Sequence, residues 1–130
     1  MKSYLTCLML SVLTSNVYAG EVQILHADFL LHNTKWTIAV TLRHADSGWD
    51  HYADAWRVVD SRGEILALRN LQHPHEDEQP FTRDLDGVFI APDQSVVFVE
   101  AHDKIHGWGA QRLRVDLKQF VGPGFTVQRN

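Results

Sequence analysis

The segment of this chain with the clearest chemical potential runs from His73 to Pro80 and holds two histidines one residue apart followed by three carboxylates. Pro74 fixes its own backbone and biases His73 toward an extended one, which predicts a polar loop rather than a helix or a central strand. Neutral imidazoles beside carboxylates are ligands that Zn²⁺ and Cu²⁺ take from proteins. Because an acidic, proline-bounded loop is more often a solvated connection, the metal hypothesis requires other histidines to converge on it.

The amino terminus has the pattern of a secretory signal peptide. Lys2 provides a basic start, residues 5–13 form an apolar run too short to span a bilayer, and Val17-Tyr18-Ala19 is a small-x-small cleavage pattern. Cleavage after Ala19 leaves 111 residues, enough for one domain with a core and too few for two. We therefore expect a signal peptide over 1–19 and a single domain over 20–130, periplasmic or secreted and free of the membrane after cleavage.

The sulfur-containing residues and the net charge of the chain exclude some classes of function. Cys7 lies inside the apolar run rather than just after it, which argues against a lipid anchor, and the only cysteine and both methionines leave with the signal peptide. The processed chain then has no disulfide and no thiolate or thioether for Cu(I). It keeps all eight histidines, and the loss of Lys2 takes the formal net charge from −4 to −5. An acidic, histidine-rich protein does not suit nucleic acid.

The alternation of apolar and polar residues predicts strands and no long helix. It is strictest over 35–43, while the β-branched run over 95–101 predicts a central strand buried on both faces. The first strand is expected at a sheet edge, and the fifth should bulge near Gly87. The predicted strands cover 21–31, 35–43, 52–59, 65–71, 81–90, 95–101 and 113–117. Seven short strands indicate an all-β, antiparallel β-sandwich of immunoglobulin or fibronectin III kind, with a small closed barrel as the alternative.

Strand parity predicts where the histidines meet. If successive strands run antiparallel between the two ends of a sandwich, every second connection falls at the same end. The connections 44–51, 73–80 and 102–109 then share one pole, which gathers six of the eight histidines and also Asp46. The candidate metal ligands are His44, His51, His73, His75, His102 and His106. Residues of the same loops that could orient a ligand or bind a partner are Asp50, Glu76, Glu78, Asp103, Trp49 and Trp108.

Within this set we expect His51 and His75, from different loops, to bind the same cation. His73, His44 or His102 would complete the site, and one position could stay open or hold water. Asp50 directly precedes His51 and cannot easily share its metal, so it is better suited to orienting another imidazole. Parity sends His32 to the opposite pole, and neither it nor His26 is a candidate.

Several segments also carry a resemblance. Gly48–Trp56, His73–His75 with Glu78–Arg83, and Gly107–Gly109 resemble a family of small, uncharacterised, secreted bacterial proteins with no established activity. The resemblance covers nearly the whole processed chain. It implies export and one compact domain, and it assigns no chemistry to any residue.

Three classes of function fit the residues. The first is a periplasmic or secreted protein that binds Zn²⁺ or Cu²⁺ through the histidine and carboxylate cluster. The second is a binding module for a protein or glycan partner, in which Trp49 and Trp108 supply aromatic faces unless they pack back over the core. The third is a hydrolase using a metal-bound water or a histidine and carboxylate pair, and no nucleophile motif or metalloprotease helix supports it. The sequence favours the first class and does not identify the metal.

Overall fold

A computed structural model describes residues 20–130, which form ten β-strands in two sheets. The predicted signal peptide, with Cys7, lies outside the described residues. The strands are β1 (Gln23–His32), β2 (Lys35–Arg43), β3 (Ala53–Val59), β4 (Ile65–Asn70), β5 (Phe81–Val88), β6 (Val96–Asp103), β7 (Gly107–Trp108), β8 (Leu113–Asp116), β9 (Val121–Gly122) and β10 (Phe125–Arg129). Between residues 20 and 130 there is no helix long and apolar enough to cross a membrane.

Each sheet has five strands. The first has the order β5-β2-β1-β10-β9, and the second has the order β4-β3-β6-β7 with β8 also paired to β6. All pairings are antiparallel except that of β1 with β10, which is parallel. The long strands β1, β2, β3 and β6 therefore lie inside the sheets, and they fix the positions from which the loops start.

One hydrophobic core joins the two sheets. Side chains alternate between the faces of a strand, so every second residue of β2 and β6 points inward. The fully buried side chains of this core include Ile38, Val40, Leu42, Trp56, Val58, Val97 and Val99. Burying an apolar side chain of this size contributes about 1.5–3 kcal/mol before entropy is counted. The shared core fixes the positions of the strand ends, and the loops begin at those ends.

The all-β class is confirmed, but the expected count of seven strands is wrong. The missing strands are β7 and β9, each two residues long, and the C-terminal β10. Two residues are too short to show alternation, and in β10 only Phe125 and Val127 are buried. Because β10 pairs with β1, the first strand lies inside its sheet and not at the expected edge.

Two finer expectations can be compared with the strands directly. The bulge near Gly87 is confirmed, because the register between β2 and β5 shifts there and Gly87 has a φ of +67°. Strand β6 is central as expected, with neighbours on both sides. Its inward residues are buried, whereas its outward residues are only half-buried, so burial on both faces holds in part.

Candidate metal centre

The three histidine-bearing loops meet at one end of the molecule. In the β2–β3 loop (44–52), the backbone N–H of His44 donates to the side-chain oxygen of Gln79 in the β4–β5 loop (71–80), at 3.0 Å. The carbonyl of Tyr52 accepts from the N–H of Lys104 in the β6–β7 loop (104–106), at 3.2 Å. The convergence predicted from strand parity is thereby confirmed.

Asp46 is the buried carboxylate that organises this end. Its Oδ1 accepts from His44 Nδ1 at 2.6 Å and from the backbone N–H of Ala53 at 3.0 Å. Its Oδ2 accepts from the backbone N–H of His75 at 2.7 Å, and its side chain has no exposed surface. A buried charge is tolerated when hydrogen bonds satisfy it, and here they also connect two loops. The Asp46 carboxylate consequently fixes the orientation of the His44 ring.

His44 is placed between two acceptors. Since its Nδ1 donates to Asp46, the neutral ring has a lone pair at Nε2 and no second proton. Yet Nε2 lies 2.9 Å from the carbonyl oxygen of Gly20, which can only accept. A cation that binds both Nε2 and the carbonyl oxygen would make this contact favourable. A carboxylate on one ring nitrogen and a cation on the other is the usual arrangement at protein metal sites.

His51 and Asp103 bring two more donor atoms to His44. The His51 Nε2 atom lies 3.4 Å from Asp103 Oδ1 and makes no hydrogen bond with any described residue. The His44 Nε2 atom lies 3.9 Å from Asp103 Oδ2, and one ligand atom from each of the three residues lies within 4.8 Å of the others. Ligands of a tetrahedral Zn²⁺ with bonds of about 2.0–2.1 Å lie roughly 3.3 Å apart. These three residues, called the metal group below, could hold a metal ion if their ligand atoms moved closer together.

Asp103 remains ionised at neutral pH and is held in one orientation. Burial raises its pKa, but hydrogen bonds from the backbone N–H groups of His106 and Ile105 and from the His106 ring outweigh this and leave the pKa below its usual value. These donors lie 2.8–3.0 Å from Oδ1. Oδ1 is thereby largely occupied, whereas Oδ2 has one of these donors within reach, His106 Nδ1 at 3.1 Å. Oδ2, on the side of His44, is therefore the better oxygen for a cation.

The β4–β5 loop supports the group and supplies no ligand to it. His75 is buried and stacks on Phe81 with ring centroids 4.1 Å apart, and its Nε2 accepts from Arg83 at 2.8 Å. Burial, together with the positive charge of Arg83, lowers the pKa of His75 and keeps its ring neutral. His73 is exposed, with its ring 4.6 Å from that of His75. The structure therefore places His44, rather than His75, beside His51.

His102 and Trp108 lie on the other face of the second sheet. Because β6 alternates, Asp103 points toward the group and His102 points away from it. His102 Nδ1 lies 2.5 Å from Asp54 Oδ1, and its ring meets the edge of Trp108 at 4.9 Å. Trp108 is in turn covered by the Arg57 guanidinium, 3.7 Å from the ring centroid. Neither residue is brought to the metal group.

The remaining candidates are at the rim. Asp50 and Glu76 are exposed, and Glu76 lies beside Gly48. Glu78 pairs with Arg83 at 3.3 Å, and this hydrogen bond lowers the pKa of Glu78. Trp49 is 63% exposed and packs edge-on against Tyr52. None of these side chains belongs to the three-residue group.

Three contributors are hard to recognise in the sequence. Asp46 was expected only as one of several nearby carboxylates, although the pattern His44-x-Asp46 is a signal for an oriented imidazole. Asp103 was expected to assist ligands, and it lies where a ligand would lie. Gly20, the first residue after the predicted cleavage position, supplies the carbonyl that faces His44. A contact across 24 positions leaves no pattern in the sequence.

Comparison with known proteins adds a relationship but no mechanism. No protein family model matches the chain, and no solved structure matches it. A protein of Halomicrobium mukohataei named "Putative lipoprotein" is 41% identical over 80 residues. The match covers 62% of this chain and 39% of that protein, so the chain spans about two fifths of its length. The similarity agrees with the resemblance to exported proteins and assigns no role to any residue.

Proposed function

We propose that this protein is exported and binds a divalent cation, Zn²⁺ or Cu²⁺, through His44, His51 and Asp103. The position of His44 carries the proposal, because its Nε2 faces a carbonyl oxygen while its Nδ1 is bound to Asp46. A cation at Nε2 makes both contacts favourable. Asp103 supplies a negative charge at the same point, and the name of the similar protein is consistent with export.

Uneven exposure of the ligands supports an exchangeable site. The His44 and Asp103 side chains are each 1% exposed, whereas that of His51 is 21% exposed. A cation would enter past His51 and reach two ligands already fixed by hydrogen bonds. Three protein ligands leave a further position open, as at metal sites that exchange a ligand. Such a site suits the storage or delivery of a metal ion.

Metal analysis tests the proposal directly. We expect untagged protein from the periplasm or medium to contain Zn²⁺ or Cu²⁺ by elemental mass spectrometry, and to take the ion up again after chelation. Replacing His51 should lower affinity at least tenfold in a chelator competition, since one ligand is lost. His51→Ala is informative because His51 Nε2 makes no hydrogen bond whose loss would weaken the fold.

His102→Ala is the matched control. The sequence places His102 in the same histidine set, but its ring binds Asp54 on the other face of the sheet. We expect its affinity to stay within twofold of the unchanged protein. Equal losses in the two variants, or less than a tenth of an equivalent of metal with no uptake, would contradict the proposal.

A partner-binding module is the second candidate, and one observation favours it. Trp49 is 63% exposed at the rim of the metal group and rests edge-on against Tyr52. An exposed aromatic side chain of this kind is a common anchor for a protein or a sugar ring. Trp108 does not add to that surface, because Arg57 and His102 cover it.

The finer description of the fold is also our inference. The shared core supports a β-sandwich in which the two sheets pack face to face, with the metal group at one pole. An immunoglobulin-like strand arrangement is a prediction of the same kind. Circular dichroism can test strand content, and an experimental structure can test the packing of the sheets.

A further inference from the structure

Gly20 lies against the metal group and directly follows the predicted cleavage pattern Val17-Tyr18-Ala19. Its carbonyl oxygen is 2.9 Å from His44 Nε2. Its Cα lies beside the His106 ring, since a Cβ built on Gly20 would be 2.8 Å from His106 Cε1 and 3.3 Å from its Nε2. One residue therefore contacts two imidazoles from different loops.

A side chain cannot take the place of this glycine. A Cβ at 2.8 Å from a ring carbon would force the ring to move, in the uncut and in the processed chain alike. The close approach of the backbone to the two rings requires glycine. This is typical of positions where a backbone group itself makes the functional contact.

The next residues hold Gly20 in place. Glu21 Oε2 accepts from the backbone N–H of Ala110 at 3.2 Å, and Val22 is only 2% exposed in the core. Strand β1 then begins at Gln23. These contacts on its C-terminal side hold Gly20 near the two rings.

We propose that cleavage after Ala19 turns the backbone nitrogen of Gly20 into an α-amino ligand of the cation bound by His44, His51 and Asp103. The inference rests on the proposed function. In the uncut chain this nitrogen is an amide whose lone pair is delocalised into the carbonyl. After cleavage it is an amine, whose lone pair a divalent cation can bind. The complete site would then form only in the exported, processed protein.

The Gly20 carbonyl oxygen strengthens this assignment. An amino nitrogen and the carbonyl oxygen of the same residue close a five-membered ring with a metal ion, so Gly20 can bind through both atoms. The distance of 2.9 Å between that oxygen and His44 Nε2 is close to the separation of neighbouring ligands on a square-planar ion. With bonds of about 2.0 Å at right angles, that separation is roughly 2.8 Å.

The ligand set also indicates which metal is bound. Two imidazoles and one amine provide three nitrogen donors, and Asp103 and the carbonyl provide oxygen. Nitrogen and oxygen ligands in a tetragonal arrangement favour Cu²⁺, which also binds more tightly than Zn²⁺ to a given site of this kind. We therefore expect the processed chain to select Cu²⁺.

The experiment compares three forms of the protein that differ only at their ends. One begins at Gly20, one keeps Ala19 so that the amine is displaced by one residue, or about 3.8 Å, and one begins at Gly20 with a residue added after Asn130. Fusion to a carrier removed by a protease that leaves a native end can produce all three. Cu²⁺ affinity is measured by chelator competition, and circular dichroism checks that all three fold.

We expect the form with Ala19 to bind Cu²⁺ at least tenfold more weakly and the form extended after Asn130 to be unchanged. Labelling the glycines with ¹⁵N should alter the nitrogen hyperfine coupling in the Cu²⁺ electron paramagnetic resonance spectrum of the Gly20 form. Equal affinities in all three forms without an isotope effect would overturn the inference and leave the proposed function intact. Failure of every form to bind Cu²⁺ and Zn²⁺ would overturn both.

Discussion

Asp46 shows how a single residue can combine stability and function. It receives hydrogen bonds from His44, Ala53 and His75, so it joins two loops and sets the His44 ring at the same time. The spacing His44-x-Asp46 points to the contact with His44, whereas the contacts with Ala53 and His75 are visible only in the structure. Asp50, four residues later in the same loop, is exposed.

The Asp46→Asn variant tests this double role. The amide keeps the size of the side chain, but its NH₂ group cannot accept one of the hydrogen bonds that a carboxylate oxygen accepts. We expect unfolding free energy to fall by about 2 kcal/mol in urea denaturation, and metal affinity to fall by about 10- to 100-fold. Asp50→Asn in the same loop should change neither. Full metal affinity in Asp46→Asn would show that the His44 ring does not depend on this carboxylate.

The site could be predicted from the sequence only as a region. Residue types and strand parity placed six histidines at one pole, and three of them, His44, His51 and His106, meet there around Asp103. Which imidazoles retain a free lone pair depends on contacts that no pattern shows. The preference for His75 as a ligand could not foresee that Arg83 donates to its ring.

At the scale of single elements, alternation predicts the long strands well. Strand β2 has the predicted bounds, Lys35–Arg43, because its period of two is complete and one face is buried. The same alternation in β6 explains why Asp103 reaches the group and His102 does not. Alternation does not predict the short strands β7 and β9, because each is two residues long and is fixed by the strand it pairs with.

The turn between β3 and β4 offers a test of pH dependence. Asp60 is buried, and burial raises its pKa, but hydrogen bonds from the backbone N–H groups of Glu64 and Arg62 outweigh that effect and leave the pKa below its usual value. Such a carboxylate stabilises the fold above the pKa it has in the unfolded chain, about 3.9. Its contribution is lost as pH falls through the lower, folded pKa.

We therefore expect Asp60→Ala to lower the melting temperature by roughly 5 °C at pH 7. The difference from the unchanged protein should stay level down to about pH 5 and shrink below about pH 4. Thermal melts over a pH series measure it, with exposed Asp93→Ala as the control. A difference that persisted undiminished at pH 2 would mean that the Asp60 charge does not support the turn.

In the molecule as a whole, two sets of contacts hold the chain together: those of the hydrophobic core and the polar contacts around the metal group. The core fixes the strands, whereas polar contacts at one pole join the β2–β3 and β6–β7 loops to the segment that begins at Gly20. A cation there would link these three parts directly. Binding to the folded state alone raises stability in proportion to the logarithm of the free ion concentration relative to Kd.

Metal binding should therefore be visible as global stabilisation. At a free ion concentration one hundred times Kd, folding gains about 2.7 kcal/mol, which corresponds to a melting temperature roughly 10 °C higher for a domain of this size. The gain should diminish as pH falls, because protons compete for the imidazole lone pairs that the cation needs. Scanning calorimetry with and without a chelator, on the unchanged protein and on His51→Ala, measures it. The gain of each protein is taken relative to its own metal-free melting temperature, because the His51 ring also packs against His44 and His106. His51→Ala should lose most of the gain, and a gain of the same size in both proteins would place the bound cation elsewhere.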